Sequence, residues 1–257
     1  MENYYDYNLT CGEFRLQLSN SLTFAEREIH PYHEILYCPD AHAILRTENR
    51  QRMLSGKNLL LIPKGQYHLV DPLQSREFPR LKIAIPDEII TQIPDCTLFS
   101  NLHVADTLNL HIDLLLQKIS EALQRGNQSF YLTSAVTMLL AELSVLAPAS
   151  VDTYRENTAL MVRITEHISH NLSGDLSVRN LARIFSVSPS FLTHRFQKEV
   201  GISLHRYIIQ KRMIYARERI DAGGKPTKIF ADCGYKDYSS FYKAYCDIFS
   251  LSPSAQK

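Results

Sequence analysis

The chain has 257 residues, 28 Lys+Arg against 27 Asp+Glu, 45% apolar residues and 21% charged residues. That balance excludes wholesale disorder, and the absence of any run approaching eighteen apolar residues excludes a membrane-spanning helix. The near-neutral total hides a split: residues 1–150 carry 12 basic and 17 acidic side chains, a net of −5, while residues 151–257 carry 16 and 10, a net of +6. A basic half is what a phosphate-binding surface needs, and a solvated basic face has the same composition, so charge alone does not choose between them. The polar, tyrosine-rich first ten residues lack the basic-then-apolar order of a secretory leader. Five cysteines, odd in number and without a C-x-x-C, read as reduced thiols. Both features lead to the expectation of a cytoplasmic protein.

In chain order, the first 85 or so residues read as strands and turns. Ile44-Leu45, Asn58-Leu59-Leu60-Leu61-Ile62 and Leu81-Lys82-Ile83-Ala84-Ile85 are short and rich in branched residues, and the turn formers Pro39-Asp40, Ser55-Gly56, Pro63-Lys64-Gly65 and Pro86-Asp87 bound them. Such spacing predicts an antiparallel sandwich or barrel. From Asp106, read as an N-cap, the period becomes helical through Leu108, His111, Ile112, Leu115 and Ile119. A second helix is expected over 129–146, with the turn Arg125-Gly126-Asn127-Gln128 making a helical hairpin. Its wide apolar arc suits packing on the sheet or a dimer seam, and Ala147-Pro148-Ala149-Ser150 reads as a linker.

The last hundred residues predict helices with sharp punctuation. One covers 157–171. Ser177 caps the next, and Ser188-Pro189 opens a third that stops near Gly201. Ser203 caps a long helix to Ala222, closed by Gly223-Gly224; Pro226 opens another that closes at Gly234; a helix follows over 238–249, and Ser252-Pro253 begins a last turn. The expected organisation is 1–105, a β-barrel; 106–150, a helical hairpin for dimerisation and linkage; and 151–257, an all-α domain.

Two stretches of that helical region repeat. Leu181-Ala182 leads through Phe185-Ser186-Val187-Ser188 to Leu192 and Phe196; Ile229-Phe230 leads through Cys233-Gly234-Tyr235-Lys236 to Phe241 and Tyr245. Each reads as a helix-turn-helix, whose second helix enters the major groove. The helix between them, about 20 residues or about 30 Å, is close to the ~34 Å repeat of B-DNA. A straight rod of that length holds two reading helices in successive grooves of one duplex face.

The segment 176–257 resembles the DNA-binding domain of AraC/XylS-type transcriptional regulators. The resemblance runs through Leu181-Ala182, Ser188-Pro189-Ser190-Phe191-Leu192, Phe196-Gln197-Lys198-Glu199-Val200-Gly201, Ser203, Lys211-Arg212-Met213, Ala216-Arg217, Ile229, Gly234-Tyr235, Asp237, Phe241-Tyr242-Lys243-Ala244-Tyr245, Phe249 and Ser252-Pro253-Ser254. Phe230, Ser186 and Ser250 depart from the family pattern, which has alanine at the first position and glycine at the other two. His30-Pro31-Tyr32-His33-Glu34-Ile35-Leu36-Tyr37 and the stretch from Gly56 to His68 look like the two characteristic stretches of a cupin, a small jelly-roll barrel. The resemblance implies a non-enzymatic, sequence-specific regulator, an activator rather than a repressor. Its expected partners are double-stranded DNA, a small-molecule effector in the barrel, a second copy of the chain and RNA polymerase.

Candidate site residues follow. With Phe191, Leu192 and Phe196 facing the core, Ser190, Thr193, His194 and Gln197 face base edges; with Phe241 and Tyr245 inward, Tyr238, Ser239, Tyr242 and Lys243 do so in the second helix. Arg195, Lys198, Arg206, Lys211, Arg212 and Lys236 are expected at phosphates. His30, His33, Glu34, Arg46, Lys64, Tyr67 and His68 are expected to line the effector site. Of these, His30, His33, Glu34 and His68 also resemble the ligand set of metal cupins, so two rivals stand beside the sensory reading: a metal-cupin enzyme fused to a DNA-binding domain, and a ligand-independent regulator. No metal or cofactor is assigned, and no activated Ser, Cys or phosphate loop stands out, Gly12 and Gly65 being isolated.

Overall fold

The computed structural model describes residues 6–21, 29–73, 77–93, 97–106, 108–126, 128–145, 155–249 and 251–255. Strands β1 (Asp6–Cys11), β2 (Phe14–Ser19), β3 (His33–Arg46), β4 (Arg50–Ile62), β5 (Leu69–Pro72), β6 (Arg80–Ile85), β7 (His103–Ala105) and β8 (Arg155–Glu156) form an antiparallel sheet. The order is β1-β2-β6-β3-β4-β7, with β5 also on β3 and β8 also on β4. The long β3–β4 hairpin is the spine. Pro39-Asp40, expected to bound a strand, is instead a bulge inside β3, where the register shifts between Cys38 and Ala41. Both bulge residues are exposed, so proline's missing N–H costs the ladder nothing.

Side-chain alternation makes two cores from one sheet. Ile35, Tyr37, Leu59, Leu61, Leu81, Ile83 and Ile85 bury on one face against a helical hairpin. Leu36, Cys38, Leu45, Leu54, Leu60, Ile62, Val70 and Phe78 fill the other face. A short α1 (Asp87–Ile90) precedes the hairpin, made of α2 (Leu110–Arg125) and α3 (Ser129–Val145). Asp106 is not the N-cap. Asn109 accepts from the His111 amide at 2.8 Å, while Asp106 pairs with the buried Arg52 at 3.2 Å. Burying a guanidinium needs a carboxylate, and that demand outweighs the cap. Residues 147–150, read as a linker, lie outside the described residues. Helix α3 buries Leu132, Val136, Leu139, Leu140 and Leu143 but leaves Phe130 88% and Val145 81% exposed, with Met138 also in solvent.

The C-terminal helices follow their sequence signals closely. They are α4 (Ala159–His170), α5 (Val178–Ile184), α6 (Pro189–Val200), α7 (Leu204–Asp221), α8 (Pro226–Asp232) and α9 (Tyr238–Phe249). Ser177, Ser188 and Ser203 each accept a backbone N–H from the first turn, at 3.3, 3.2 and 3.2 Å. Helix α7 is continuous over 18 residues, about 27 Å at 1.5 Å per residue. It is the spine of a core that takes Leu181, Leu192, Phe196, Ile229, Phe241 and Tyr245 from the surrounding helices. No helix among the described residues is long and apolar enough to cross a membrane.

Candidate nucleic-acid interface and its attachment to the sheet

The two repeated segments fold alike, bond for bond. In α5–α6 the Phe185 amide donates to the Leu181 carbonyl, Ser186 to Arg183 and Val187 to Ala182; in α8–α9 Cys233 donates to Ile229, Gly234 to Ala231 and Tyr235 to Phe230. Each set is shifted by 48 residues. Both describe a helix stop with its turn residue in the left-handed region, Gly234 at φ +73° and Ser186 at φ +54°. Ser186 therefore stands where glycine is the unstrained choice. Phe230 is half-buried and meets the Tyr238 ring edge-on at 6.0 Å, which gives its added bulk a partner.

The outward faces of α6 and α9 largely match the sequence pattern. Ser190, Thr193, His194, Ser239, Tyr242 and Lys243 are exposed, as are Lys198, Arg206 and Lys236. Several expectations are corrected. Phe191 is 47% exposed, not core. Leu192, Phe196 and Val200, four residues apart, already define the buried stripe, and Phe191 lies about 100° off it. This aromatic belongs to the presented face and was missed, although the four-residue spacing carried the signal. Tyr238 is half-buried among Phe230, Phe241 and Tyr242. Gln197 is exposed, but its amide donates to the Gly201 carbonyl at 2.8 Å, so it closes its own helix.

Three of the expected phosphate ligands are engaged elsewhere. Arg195 pairs with Glu199 one turn on, and Glu199 also accepts from the Thr158 amide at 2.8 Å. Arg212 donates to the Leu172 and Gly174 carbonyls, both at 2.9 Å, and stacks on Tyr235. It braces α7 to the loop after α4. Lys211 points back to the sheet, 2.8 Å from Glu48, with only 17% of its side chain exposed. A cation committed to a half-buried carboxylate has no charge left for a phosphate in this arrangement.

The expected effector residues do not converge on one pocket. Tyr67 is fully buried, and its hydroxyl donates to the Val200 carbonyl at 2.6 Å. Arg46 donates to the Lys198 carbonyl at 3.2 Å and pairs with Asp71. Gln51, which no sequence pattern singled out, donates to the Glu199 carbonyl at 2.9 Å. Three successive carbonyls at the end of α6, groups that a helix leaves without internal partners, are thus satisfied by three side chains of the sheet. Gly201 seals the contact: a Cβ there would stand 2.5 Å from Leu69 and 2.9 Å from Arg46. Asn157 adds a backbone link, its amide donating to the Asn49 carbonyl at 2.7 Å. Strand β8, just before it, pairs with Arg50 and Gln51 of β4.

His33 lies on the other side of its strand, against Phe99, with its Nε2 2.8 Å from Asp87. Lys64 reaches the same carboxylate at 2.5 Å. Burial pulls the His33 imidazole below its usual value, and Asp87 only partly restores it. His30, Glu34 and His68 do come together, all buried. Burial raises the Glu34 carboxyl, but the two imidazoles outweigh it and hold the group at about 2. A cavity of about 270 Å³ opens beside Glu34, lined by Tyr32, Arg15, Gln17, Lys82 and Ala84. Burial brings the Lys82 ammonium down to about 8. Lys82 was overlooked, although a lone lysine in Leu81-Lys82-Ile83-Ala84-Ile85 is itself a signal. A wider cleft of about 390 Å³ separates the sheet from α4 and α7, with Glu48, Gln66, Thr165, Glu166 and Lys211 in its walls.

The α5–α6 and α8–α9 pairs on either side of α7 have the helix–turn–helix geometry that many DNA-binding proteins use. Residues 181–257 match a family model described as a helix-turn-helix domain. That stretch of the chain is a helix-turn-helix domain. Among curated proteins the chain is 26% identical over 141 residues to the uncharacterized HTH-type transcriptional regulator YijO of Escherichia coli K12, covering 54% of this chain and 50% of that one. It is 20% identical over 235 residues to the HTH-type transcriptional activator RhaS of an Enterobacter species, covering 87% and 84%. The chain spans half or less of the length of the first curated relatives it matches. Among solved structures, ToxT of Vibrio cholerae aligns over 98% of this chain and 96% of its own, at 13% identity and a TM-score of 0.41. The two curated relatives named here are described as transcriptional regulators.

Proposed function

We propose that the protein is a sequence-specific transcription regulator in which α6 and α9 read successive major grooves of one duplex. The observation that carries this reading is the bond-for-bond repetition of α5–α6 in α8–α9 on either side of the unbroken α7. Ser190, Phe191, Thr193 and His194 face the first groove; Ser239, Tyr242 and Lys243 face the second, with Lys243 reaching guanine or a phosphate. Lys198, Arg206 and Lys236 hold phosphates. Activation is favoured over repression, because the relatives RhaS and the XylDLEGF operon protein are named as activators.

Residues 1–105 form, on this reading, a cupin-like barrel that senses a small molecule and signals through the grip of Arg46, Gln51 and Tyr67 on α6. A ligand that favours a different seating of the sheet shifts α6 relative to α9, and only such differential binding moves operator occupancy. Residues 106–150 supply the dimer contact, supported by the exposed Phe130, Met138 and Val145 of α3. RNA polymerase is the expected further partner of an activator. Selection of bound sequences from a random duplex library tests the reading. It expects a site with two contacted segments about one helical turn apart, and affinity that falls steeply with salt. Failure to enrich any sequence at low ionic strength sinks it.

A further inference from the structure

With both imidazoles neutral, His30, Glu34 and His68 present three acceptors to one another inside the sheet, with no donor between them. His30 Nδ1 lies 2.7 Å from the Tyr32 carbonyl and His68 Nδ1 lies 3.2 Å from the Gln66 carbonyl. A carbonyl only accepts, so each Nδ1 carries its hydrogen. In the neutral rings both Nε2 atoms are therefore bare lone pairs, and both face the Glu34 carboxylate, at 3.3 and 3.8 Å. His30 Nε2 and Glu34 Oε1 are buried without a hydrogen-bond partner. No lysine or arginine among the described residues forms an ion pair with Glu34. With both rings neutral, three mutually repelling acceptors at exposures of 2%, 3% and 7% face one another, an arrangement that a cation relieves, either a metal ion or a proton on one ring.

We infer that His30, Glu34 and His68 are the ligands of a divalent first-row transition-metal ion. Two imidazoles and one carboxylate suit zinc, iron or manganese, whereas magnesium and calcium prefer all-oxygen surroundings. A metal about 2.0–2.2 Å from each donor holds its donors roughly 3.0–3.4 Å apart. His30 Nε2 lies 3.3 Å from Glu34 Oε2 and His68 Nε2 3.8 Å from Glu34 Oε1, and one donor atom from each residue lies within 4.8 Å of the others, so the three draw in by a small side-chain movement onto an ion. The carbonyls of Tyr32 and Gln66 orient the rings as outer partners do in metal sites. The cavity beside Glu34 is the entry path. The ion also ties together two pieces of chain, because His30 precedes β3 while His68 follows Tyr67, which grips α6. This inference does not rest on the DNA reading, which stands if it fails.

The test uses the tag-free full chain, stripped with chelator and titrated separately with Zn²⁺, Mn²⁺ and anaerobic Fe²⁺, with Mg²⁺ as control. One transition ion per chain should bind and raise the melting temperature, and Mg²⁺ should do neither. Glu34→Gln and His68→Gln should each weaken binding more than about tenfold, since even outer partners of a ligand are worth 10–100-fold. His42→Gln, on an exposed position of β3, should leave it unchanged. Should the variants fail to fold, histidine NMR of the unaltered protein decides: of ten histidines, His30 and His68 should be the two whose Nε2 signals move on zinc addition. No stoichiometric binding, undiminished binding in both variants, or movement of other histidines overturns the site. The same holds if His68 stays an imidazolium through the titration, a proton then being the cation.

Discussion

The two halves of the helical repeat share a hydrogen-bond pattern and differ in what holds them. Helix α6 hands its last carbonyls to Arg46, Gln51 and Tyr67 of the sheet. The hydrogen bonds described for α8 and α9 run within the helical region, through the Asp237 cap and the Arg212 brace at the turn. One sequence pattern, used twice, thus yields one reading helix wired to the sheet and one wired to the spacer. On the proposed function, a signal from the sheet reaches α6 first, with α9 as the reference. Duplication supplies a second copy of the motif, and the different neighbours hold each copy differently.

The strongest way to break this comparison is to cut the grip. Tyr67→Phe combined with Gln51→Ala leaves two buried carbonyls unsatisfied, at about 1–3 kcal/mol each. Backbone amides at the end of α6 should then exchange much faster, while those of α9 keep their protection. Equal loosening of both helices would show that the wiring is not selective.

The turns provide the next contrast. Gly234→Ser should cost at least about 1–2 kcal/mol from left-handed strain alone. A Cβ there would also stand 2.5 Å from the Leu172 carbonyl oxygen. Thermal or urea unfolding measures the loss, and a variant as stable as its parent would show that the second turn relaxes. At the phosphates, Lys236→Ala and Lys198→Ala should each lower the salt slope of DNA binding by about 1. Lys211→Ala should leave that slope unchanged, because its charge is spent on Glu48. A reduced slope for Lys211→Ala would mean that DNA binding pulls it off the sheet.

The caps differ in pH response. The Ser240 amide and hydroxyl hold the Asp237 carboxyl below its ordinary value. Its contribution is therefore complete above about pH 3.9 and is lost as pH falls through the depressed folded value. The Ser188 hydroxyl that caps α6 does not titrate. Amide exchange at Ser240 should accelerate on acidification relative to Phe191, and parallel behaviour would remove the distinction. The smallest effect expected is a gain: Ser186→Gly relieves the left-handed turn and should stabilise by about 1 kcal/mol or less, once glycine's extra unfolded-state entropy is counted.

Local chemistry made the helical region legible in the amino-acid sequence. Serine caps, Pro189 and Pro226 at first helical positions and glycine stops act within a few residues, so α5 to α9 fall where they are expected. The fold of the sheet was legible only in kind. Pro39-Asp40 reads as a turn locally but is a bulge, because β4 pairs with β3 on both sides of it, up to Cys38 and again from Ala41. The presented face of the reading helices was mostly legible, since the four-residue spacing of Leu192, Phe196 and Val200 defines its opposite.

Tertiary structure alone decided the uses of the charged and polar side chains. A lysine beside a carboxylate it meets only after folding, such as Lys211 with Glu48, looks in sequence like any phosphate ligand. Gln51, in a polar stretch of β4, gave no warning that it reaches a carbonyl 148 residues away. Short-range rules determine where helices begin and end, because their hydrogen bonds close within four residues. Which charge is spent inside the molecule and which faces a partner depends on contacts between segments far apart in the chain, and only the packed sheet and helices bring those together.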